Sequence, residues 1–515
     1  MLCRSYSASV VGVDGFVVTV EGDVGLGLPG LTVVGRATGA LAEARDRVKS
    51  ALSHCGHAIR PRRQIVNLAP ADERKDSPGI DLAVACVLLA CHEVVPAAAL
   101  EGLMLWGELG LDGAVRPAAG TLVIADVARQ RGFRRLVVAP ASADEAALIP
   151  DLEVLPAADL PALIAHLRGE RRIEPHARAP SRPRARPGDE PLDLADIRGL
   201  YLARRALEVM AAGGHNLLLH GPPGVGKTML ARRVAPLLPA LADDDALVAT
   251  KVHGLANGTC SKGLVTTPPL RAPHHTVSPA GLLGGGTPAR PGEVSLAHAG
   301  VLFLDELPEF SRVCLEGLRE PLEEGEVRIV RANHRVRFPA RFQLLAAMNP
   351  CPCGYLGHPE RVCTDSAAAV ARYQQRVSGP LLDRVDLVVA VAPVAPEELA
   401  RAAPGEATAT VRARVARARA RQLSRLCDTP WTTNATIPAS GRAVDRLCPL
   451  DPEAAALLTD VAASRVLSPR TQHRLRRVAR TLADLDPDHD PTAPIAARHV
   501  AEATQLRRLP EALED

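Results

Sequence analysis

Lysine is nearly missing from this chain. Of 61 basic residues only Lys49, Lys75, Lys227, Lys251 and Lys262 are Lys, and the other 56 are Arg. Aromatic residues are almost as scarce, at 2%. With two Trp, four Tyr and six Phe, stacking of bases on side chains is excluded as a main mode of nucleic-acid binding. Any such contact has to run from Arg to phosphate. The formal net charge is only +3, so no overall positive field points to a polyanion. The 11 Cys are sparse and unevenly spaced, which does not suggest a disulfide framework. The longest apolar run, Leu82 to Cys91, lies between Asp81 and His92 and is too short to span a bilayer. The opening residues lack the charged-then-apolar order of a secretory signal. A soluble, cytoplasmic protein without a membrane partner is expected.

What remains is ordinary globular material, 47% hydrophobic and 23% charged, in a length that allows roughly two to four domains. That balance rules out a disordered tail and a collagen-like repeat. The Pro- and Arg-rich stretch 170–190 reads as an extended linker. Before it, residues 1–169 mix strand signals (Phe16–Val20, Gln64–Leu68) with a helix over Thr38–His54. After it, residues 191–395 alternate buried strands with helices, the pattern of a parallel α/β sheet. From 396 to 515 strand signals fade, and Thr408–Leu426, Pro452–Val466 and Pro469–Leu485 read as helices.

The string Gly221, Pro222, Pro223, Gly224, Val225, Gly226, Lys227, Thr228 fits G-x-x-x-x-G-K-T, follows the apolar run Leu217–Leu219 and opens a helix. Such a loop curls backbone N–H groups around a phosphate. Lys227 would hold the β- and γ-phosphates of ATP, and Thr228 would ligate Mg²⁺. The acidic partner such a site needs is Asp305, at the end of the buried run Val301–Leu304. Glu306 beside it suits orientation of an attacking water, which argues for hydrolysis rather than binding alone. Asn349 ends the next buried run, and Arg384 lies in Gly379-Pro-Leu-Leu-Asp-Arg384-Val-Asp386 at the edge of the same domain. These pieces in this order resemble an AAA+ ATPase, with Asn349 as sensor 1 and Arg384 as the finger that reaches a neighbour's nucleotide. An ordinary ion pair to Asp383 or Asp386 is the competing reading of Arg384.

Further strings narrow the resemblance: Ala272-Pro-His-His-Thr276, Gly284-Gly-Gly286, Pro291-Gly-Glu-Val-Ser-Leu-Ala-His298, Val301-Leu-Phe-Leu-Asp-Glu-Leu-Pro-Glu-Phe310 and Asn349-Pro-Cys-Pro-Cys-Gly354. Together with Asn67–Asp72, Gly107–Gly113 and Ser468–Arg470, they resemble the YifB/ComM family of magnesium-chelatase-like AAA+ ATPases over essentially the whole chain. The resemblance implies a P-loop α/β core, an α+β N-terminal domain of the Lon-protease type, and a C-terminal helical lid carrying Arg470 as sensor 2. It also implies a homo-oligomeric, hexameric ring and branch migration of DNA during recombination or transformation. A chelatase motor subunit and a protein-remodelling ATPase are the alternatives. Where relatives often carry Gln ahead of the P-loop, this chain has Leu200.

The Lon-type protease needs a Ser nucleophile and a distant Lys. Here Lys75-Asp-Ser-Pro-Gly79 places Gly79 at the nucleophile position, and no Lys occurs between Lys75 and Lys227. A catalytically inactive binding or assembly module is expected. Cys351, Cys353 and Cys363, with His358 as the other candidate ligand, suit either a structural Zn²⁺ site or three reduced thiols. In the resembled family a fourth Cys usually stands where this chain has Arg361. Val327–Phe338 reads as a hairpin turning at Asn333, with Arg328, Arg331, Arg335 and Arg337 on it. In the resembled family such a hairpin faces the pore, where Arg would contact DNA phosphates; a solvated, aggregation-resistant edge is the alternative.

Overall fold

The computed structural model describes residues 2–35, 39–58, 62–73, 75, 77–177, 192–258, 263–287, 289–331, 334–439 and 441–508; of residues 39–42, 331, 334 and 396 it describes the backbone alone. The N-terminal part is a seven-stranded mixed sheet. Its strands are β1 (Leu2–Val11), β2 (Asp14–Gly25), β3 (Gly30–Val34), β4 (Arg63–Ala69), β5 (Leu103–Leu105), β6 (Arg135–Val138) and β7 (Glu153–Pro156), in the order β3-β4-β2-β1-β5-β6-β7. On β4, Gln64, Val66 and Leu68 turn inward in alternation, the period-two signature of a half-buried strand. Helices α1 (Gly39–His54), α2 (Asp81–Cys91) and α3 (Thr121–Gln130) pack against this sheet. All eleven residues of α2 are buried. A helix apolar on every side must be covered on every side, so the longest hydrophobic run of the sequence became the centre of this domain. Gly79 sits just ahead of α2, and a Cβ there would stand 2.7 Å from the Trp106 indole. The indole fills the space that a nucleophilic side chain would need. Lys75 is fully buried and donates to the carbonyls of Gly35 and Pro70.

The expected linker begins later than its composition suggests. Ile173 packs on the N-terminal core, its N–H bonds His166 Nδ1 at 3.0 Å, and His176 pairs with Asp144 at 2.7 Å. These contacts, with the N–H of Glu170 donating to Ala165 O at 2.9 Å and that of His176 to Val154 O at 2.8 Å, tie residues 170–177 down; residues 178–190 lie outside the described residues.

The central part holds a five-stranded, all-parallel sheet of β8 (Leu217–His220), β9 (Leu270–Arg271), β10 (Val301–Leu304), β13 (Gln343–Met348) and β14 (Leu387–Ala390), in the order β9-β10-β13-β8-β14. The hairpin β11 (Glu326–Arg331) and β12 (His334–Pro339) stands apart from it. Leu217 to Leu219 and Val301 to Leu304 are buried throughout, as strands covered on both faces must be. The register pairs His220 with Met348 and Leu304 with Ala346, so the strands carrying the P-loop, the acidic pair and Asn349 end side by side. Two helices follow the P-loop strand: α4 (Lys227–Arg232) and α5 (Asp243–Asn257). From α5, Lys251 reaches Asp126 on α3 at 2.6 Å, with side-chain exposures of 8% and 5%. One of the five lysines thus joins the two sheets' domains through a buried ion pair.

The C-terminal part is helical. Helices α6 (Thr408–Leu426) and α7 (Pro469–Leu485) have the bounds expected from sequence, and the helix between them stops at Ser464, short of Val466, whose φ of 49° is left-handed. Ser468 caps α7 by accepting from Thr471 N–H. Several of the many arginines are used here as interior ties. Arg474, Arg477 and Arg480 are all buried, and Asp484 receives Arg425 at 2.7 Å and Arg480 at 3.2 Å. A planar guanidinium can satisfy several acceptors at once inside a fold, which an ammonium does less well.

Candidate nucleotide site

Gly221 follows β8 so closely against its neighbour that a Cβ there would lie 2.1 Å from the Val391 carbonyl oxygen. Gly226 has φ 96°, a conformation open to glycine, and Leu200 lies over it. The loop then delivers Lys227 to an interior position, 7% exposed. Its ammonium donates to Gly221 O at 2.6 Å, Pro222 O at 2.7 Å and Asn349 Oδ1 at 3.0 Å. All three partners are uncharged. Burial lowers its pKa to about 8, against the opposing pull of Asp305 and Glu306. A cation held in this way suits a phosphate, so the residues present fit the nucleotide they were expected to hold.

The acidic pair converges on the same edge. Asp305 Oδ2 accepts from Thr228 Oγ1 at 2.7 Å, which places the two Mg²⁺-ligand candidates together. Asp305 Oδ1 accepts from Glu306 N–H at 3.0 Å. Glu306 has φ 55°, unusual for a residue with a side chain and a form of strain that clusters at working sites. His275 holds its carboxylate, Nδ1 to Oε2 at 3.2 Å, and is itself stacked on His274 with ring centroids 4.1 Å apart. Sequence reasoning gave no role to His275; its signal was the His-His pair just after the edge strand β9.

Arg384 and Arg470 are elsewhere. Arg384 precedes β14, and its carbonyl accepts from Asn216 Nδ2 at 2.8 Å, just before β8 begins. It therefore lies at the opposite end of the strands from Gly221 and Lys227, roughly 16 Å away along the extended chain from Asn216 to Gly221. Its guanidinium pairs with Glu323, as does that of Arg470, at 3.1 Å. Asp383 and Asp386, the carboxylates weighed as its partners, are instead taken by Arg474, at 3.7 Å and 4.0 Å; Arg477 holds Asp386 at 3.0 Å. The Arg384 Nε has no partner among the described residues. Glu323, Arg384, Asp386, Arg470, Arg474 and Arg477 line a cavity of about 720 Å³ between sheet and lid. Glu323 carried no sequence signal, because only the fold brings it to both arginines.

On the hairpin, Arg328 is spoken for by Glu326 at 2.6 Å and Glu324 at 3.6 Å, while Arg335 and Arg337 are exposed. The side chain of Arg331 lies outside the described residues. The hairpin also rests on the N-terminal domain, where a Cβ on Gly12 would come within 2.7 Å of Arg337 O. No helix among the described residues is long and apolar enough to cross a membrane.

A parallel sheet with a P-loop on one strand, an acidic pair two strands away and an amide-bearing strand between them is the core of an AAA+ ATPase of the magnesium-chelatase type. Family models agree: "Magnesium chelatase, subunit ChlI" matches residues 193–399, "Subunit ChlI of Mg-chelatase" residues 20–142, and "Magnesium chelatase, subunit ChlI C-terminal" residues 405–507. The chain is 40% identical over 510 residues to the uncharacterized protein YifB of Escherichia coli, covering 98% of this chain and 96% of that one. It is 43% identical over 491 residues to an uncharacterized protein of Mycobacterium tuberculosis, covering 94% and 95%. It is 39% identical over 513 residues to Competence protein ComM of Haemophilus influenzae, covering 99% and 98%. The chain belongs to the YifB/ComM family of magnesium-chelatase-like AAA+ ATPases, whose ligands are ATP and Mg²⁺.

Proposed function

We propose that this protein is a ring-forming, hexameric ATPase that moves DNA and promotes branch migration in recombination or natural transformation. One observation carries the reading: Lys227 and the acidic pair stand at one end of the central sheet, and Arg384 at the other. A nucleotide in the P-loop can meet a finger only from a second copy, so turnover requires assembly. Within one copy, Lys227 binds the phosphates, and Thr228 with Asp305 holds Mg²⁺. Glu306, steadied by His275, orients and deprotonates water, and Asn349 ties Lys227 to the sensor strand. Bound Mg²⁺ would offset the negative charge of the phosphates. Arg384 of one copy, with Arg470 beside it as sensor 2, stabilises charge on the neighbour's phosphates.

DNA as the substrate is supported by the name of the competence relative and by the exposed Arg335 and Arg337 on the hairpin. The N-terminal domain, with Gly79 packed against Trp106, serves as an assembly or binding module of the Lon-protease type. A chelatase motor subunit is the second reading, favoured by the names of all three family models. ATPase rate with and without four-way-junction DNA decides between them. Junction DNA should accelerate hydrolysis, and Arg335→Ala with Arg337→Ala should abolish that acceleration, weaken DNA binding and flatten its salt dependence while basal hydrolysis stays unchanged. Indifference to DNA overturns the motor reading.

A further inference from the structure

Between Met348 and Ala367 the chain forms no helix or strand, an unusual length of irregular backbone to hold in place beside a nucleotide site. Three cysteines converge within it. Sγ of Cys351, Cys353 and Cys363 stand 3.4, 3.5 and 3.6 Å from one another, a nearly equilateral triangle. These separations are far beyond a disulfide bond of about 2 Å. They are close to the roughly 3.8 Å edge set by four ligands at about 2.3 Å around a tetrahedral zinc. The fourth corner is a carboxylate: the ligand atoms of the three cysteines and Asp365 all lie within 4.8 Å of one another. Asp365 Oδ2 accepts from Cys353 N–H at 2.8 Å and stands 3.8 Å from Cys363 Sγ. Leu356 N–H points at Cys351 Sγ at 3.4 Å, the kind of hydrogen bond that steadies a metal-bound thiolate.

His358, the ligand expected from sequence, does not join them. Its Nδ1 accepts the N–H groups of Glu360 and Arg361, each at 3.1 Å, and its ring meets Tyr355 edge-on. Arg361 folds over the same Tyr355 ring, its carbon 5.0 Å from the centroid.

We propose that Cys351, Cys353, Cys363 and Asp365 form a structural Zn²⁺ site, closed on all four corners, that braces the P-loop. Soft thiolates select zinc over the Mg²⁺ used at Asp305. The brace is a direct contact. Gly354, between the second and third thiolates, has φ 85° and lies so close to Pro223 that a Cβ would come within 2.6 Å of its ring. The same segment begins at Asn349, whose amide oxygen binds Lys227, and is pinned by Gln374 Nε2 donating to Pro350 O at 2.9 Å. Zinc would thus fix the loop that touches the phosphate cradle at Pro223. This bracing role rests on the nucleotide reading of Lys227; metal occupancy does not.

The test uses the full-length protein, purified reduced and assayed for metal by mass spectrometry. About one zinc per chain is expected. In protein stripped and refilled with Co²⁺, a tetrahedral spectrum with thiolate charge-transfer bands is expected; this needs no variant, so misfolding cannot obscure it. His358→Ala should keep the metal, Asp365→Ala should weaken it at least about tenfold, and Asp365→Cys should hold it. Removing zinc should raise the Kd for ATP several-fold in equilibrium binding. Wild-type protein that takes up neither zinc nor Co²⁺, or that carries a Cys351–Cys353 disulfide, overturns the site. Loss of metal in His358→Ala with full retention in Asp365→Ala overturns the ligand set. Metal present with ATP affinity unchanged by its removal overturns the brace alone, and metal present with no ATP binding at all overturns the nucleotide reading instead.

Discussion

Removing Arg384 should silence hydrolysis without unfolding the protein. A finger that completes a neighbour's site is worth about 10³–10⁵ in rate. Here Arg470 sits on the same carboxylate, so a second guanidinium remains when Arg384 is lost. The lower end applies: Arg384→Ala should reduce kcat about 10³-fold, or about 4 kcal/mol of transition-state stabilisation. The fold should notice little, because Arg384 is 11% exposed but its partner Glu323 is 42% exposed, and a half-solvated pair contributes about 1 kcal/mol or less. The decisive assay mixes two dead variants. Glu306→Gln keeps Arg384 but cannot orient water, whereas Arg384→Ala keeps Glu306 but lacks the finger. In a ring assembled at random from equal amounts, about one interface in four pairs an intact Glu306 with an intact Arg384, so about a quarter of wild-type activity should return. No recovery on mixing, in subunits shown to exchange, refutes the split-site reasoning. So does a wild-type rate per chain that is unchanged on dilution to the monomer.

Two other perturbations test the chemistry and the domain junction. Lys227 titrates near 8 in the free protein because burial disfavours its charge, and a bound phosphate favours the charged form. ATP affinity should therefore be level below that pH and fall by up to about tenfold per unit above it, as isothermal titration can show; affinity level up to about pH 9.5 contradicts this. Lys251→Ala strands Asp126, and although Arg129 and Gln130 still bind that carboxylate, thermal unfolding should register a loss toward the lower end of about 3–5 kcal/mol. Burial alone would raise the Asp126 carboxyl, yet Lys251 and Arg129 outweigh it and hold its pKa below the usual value. The pair's stabilisation is then fully present above about pH 4 and drains away as pH falls further, so wild type and Lys251→Ala should converge in acid.

Much of the site was legible in one dimension because a phosphate cradle is local. The glycines and Lys227 lie within eight consecutive residues, and Asp305 with Glu306 follows an apolar run that could only be a buried strand. Helices α6 and α7 were readable for a similar reason, since caps and a helical hydrophobic period are properties of neighbouring residues. Composition gave the number of arginines but not their use: Arg474, Arg477 and Arg480 are buried inside the lid, and Arg328 is matched by Glu324 and Glu326.

His275, Glu323 and Asp365 carried too little signal to be chosen, although Cys363-x-Asp365 repeats the spacing of Cys351-x-Cys353. Each acquires its role from a residue that is distant in sequence or held by loop geometry: His275 meets Glu306 across strands, Glu323 gathers Arg384 and Arg470, and Asp365 closes a triangle of thiols that His358 turns away from. The order of residues determined which chemistry the chain contains, since motifs depend on short-range spacing and period. Only the folded sheet decided where that chemistry points: parallel strands carry Lys227 to one end and leave Arg384 at the other, a separation set by strand direction that no local spacing encodes.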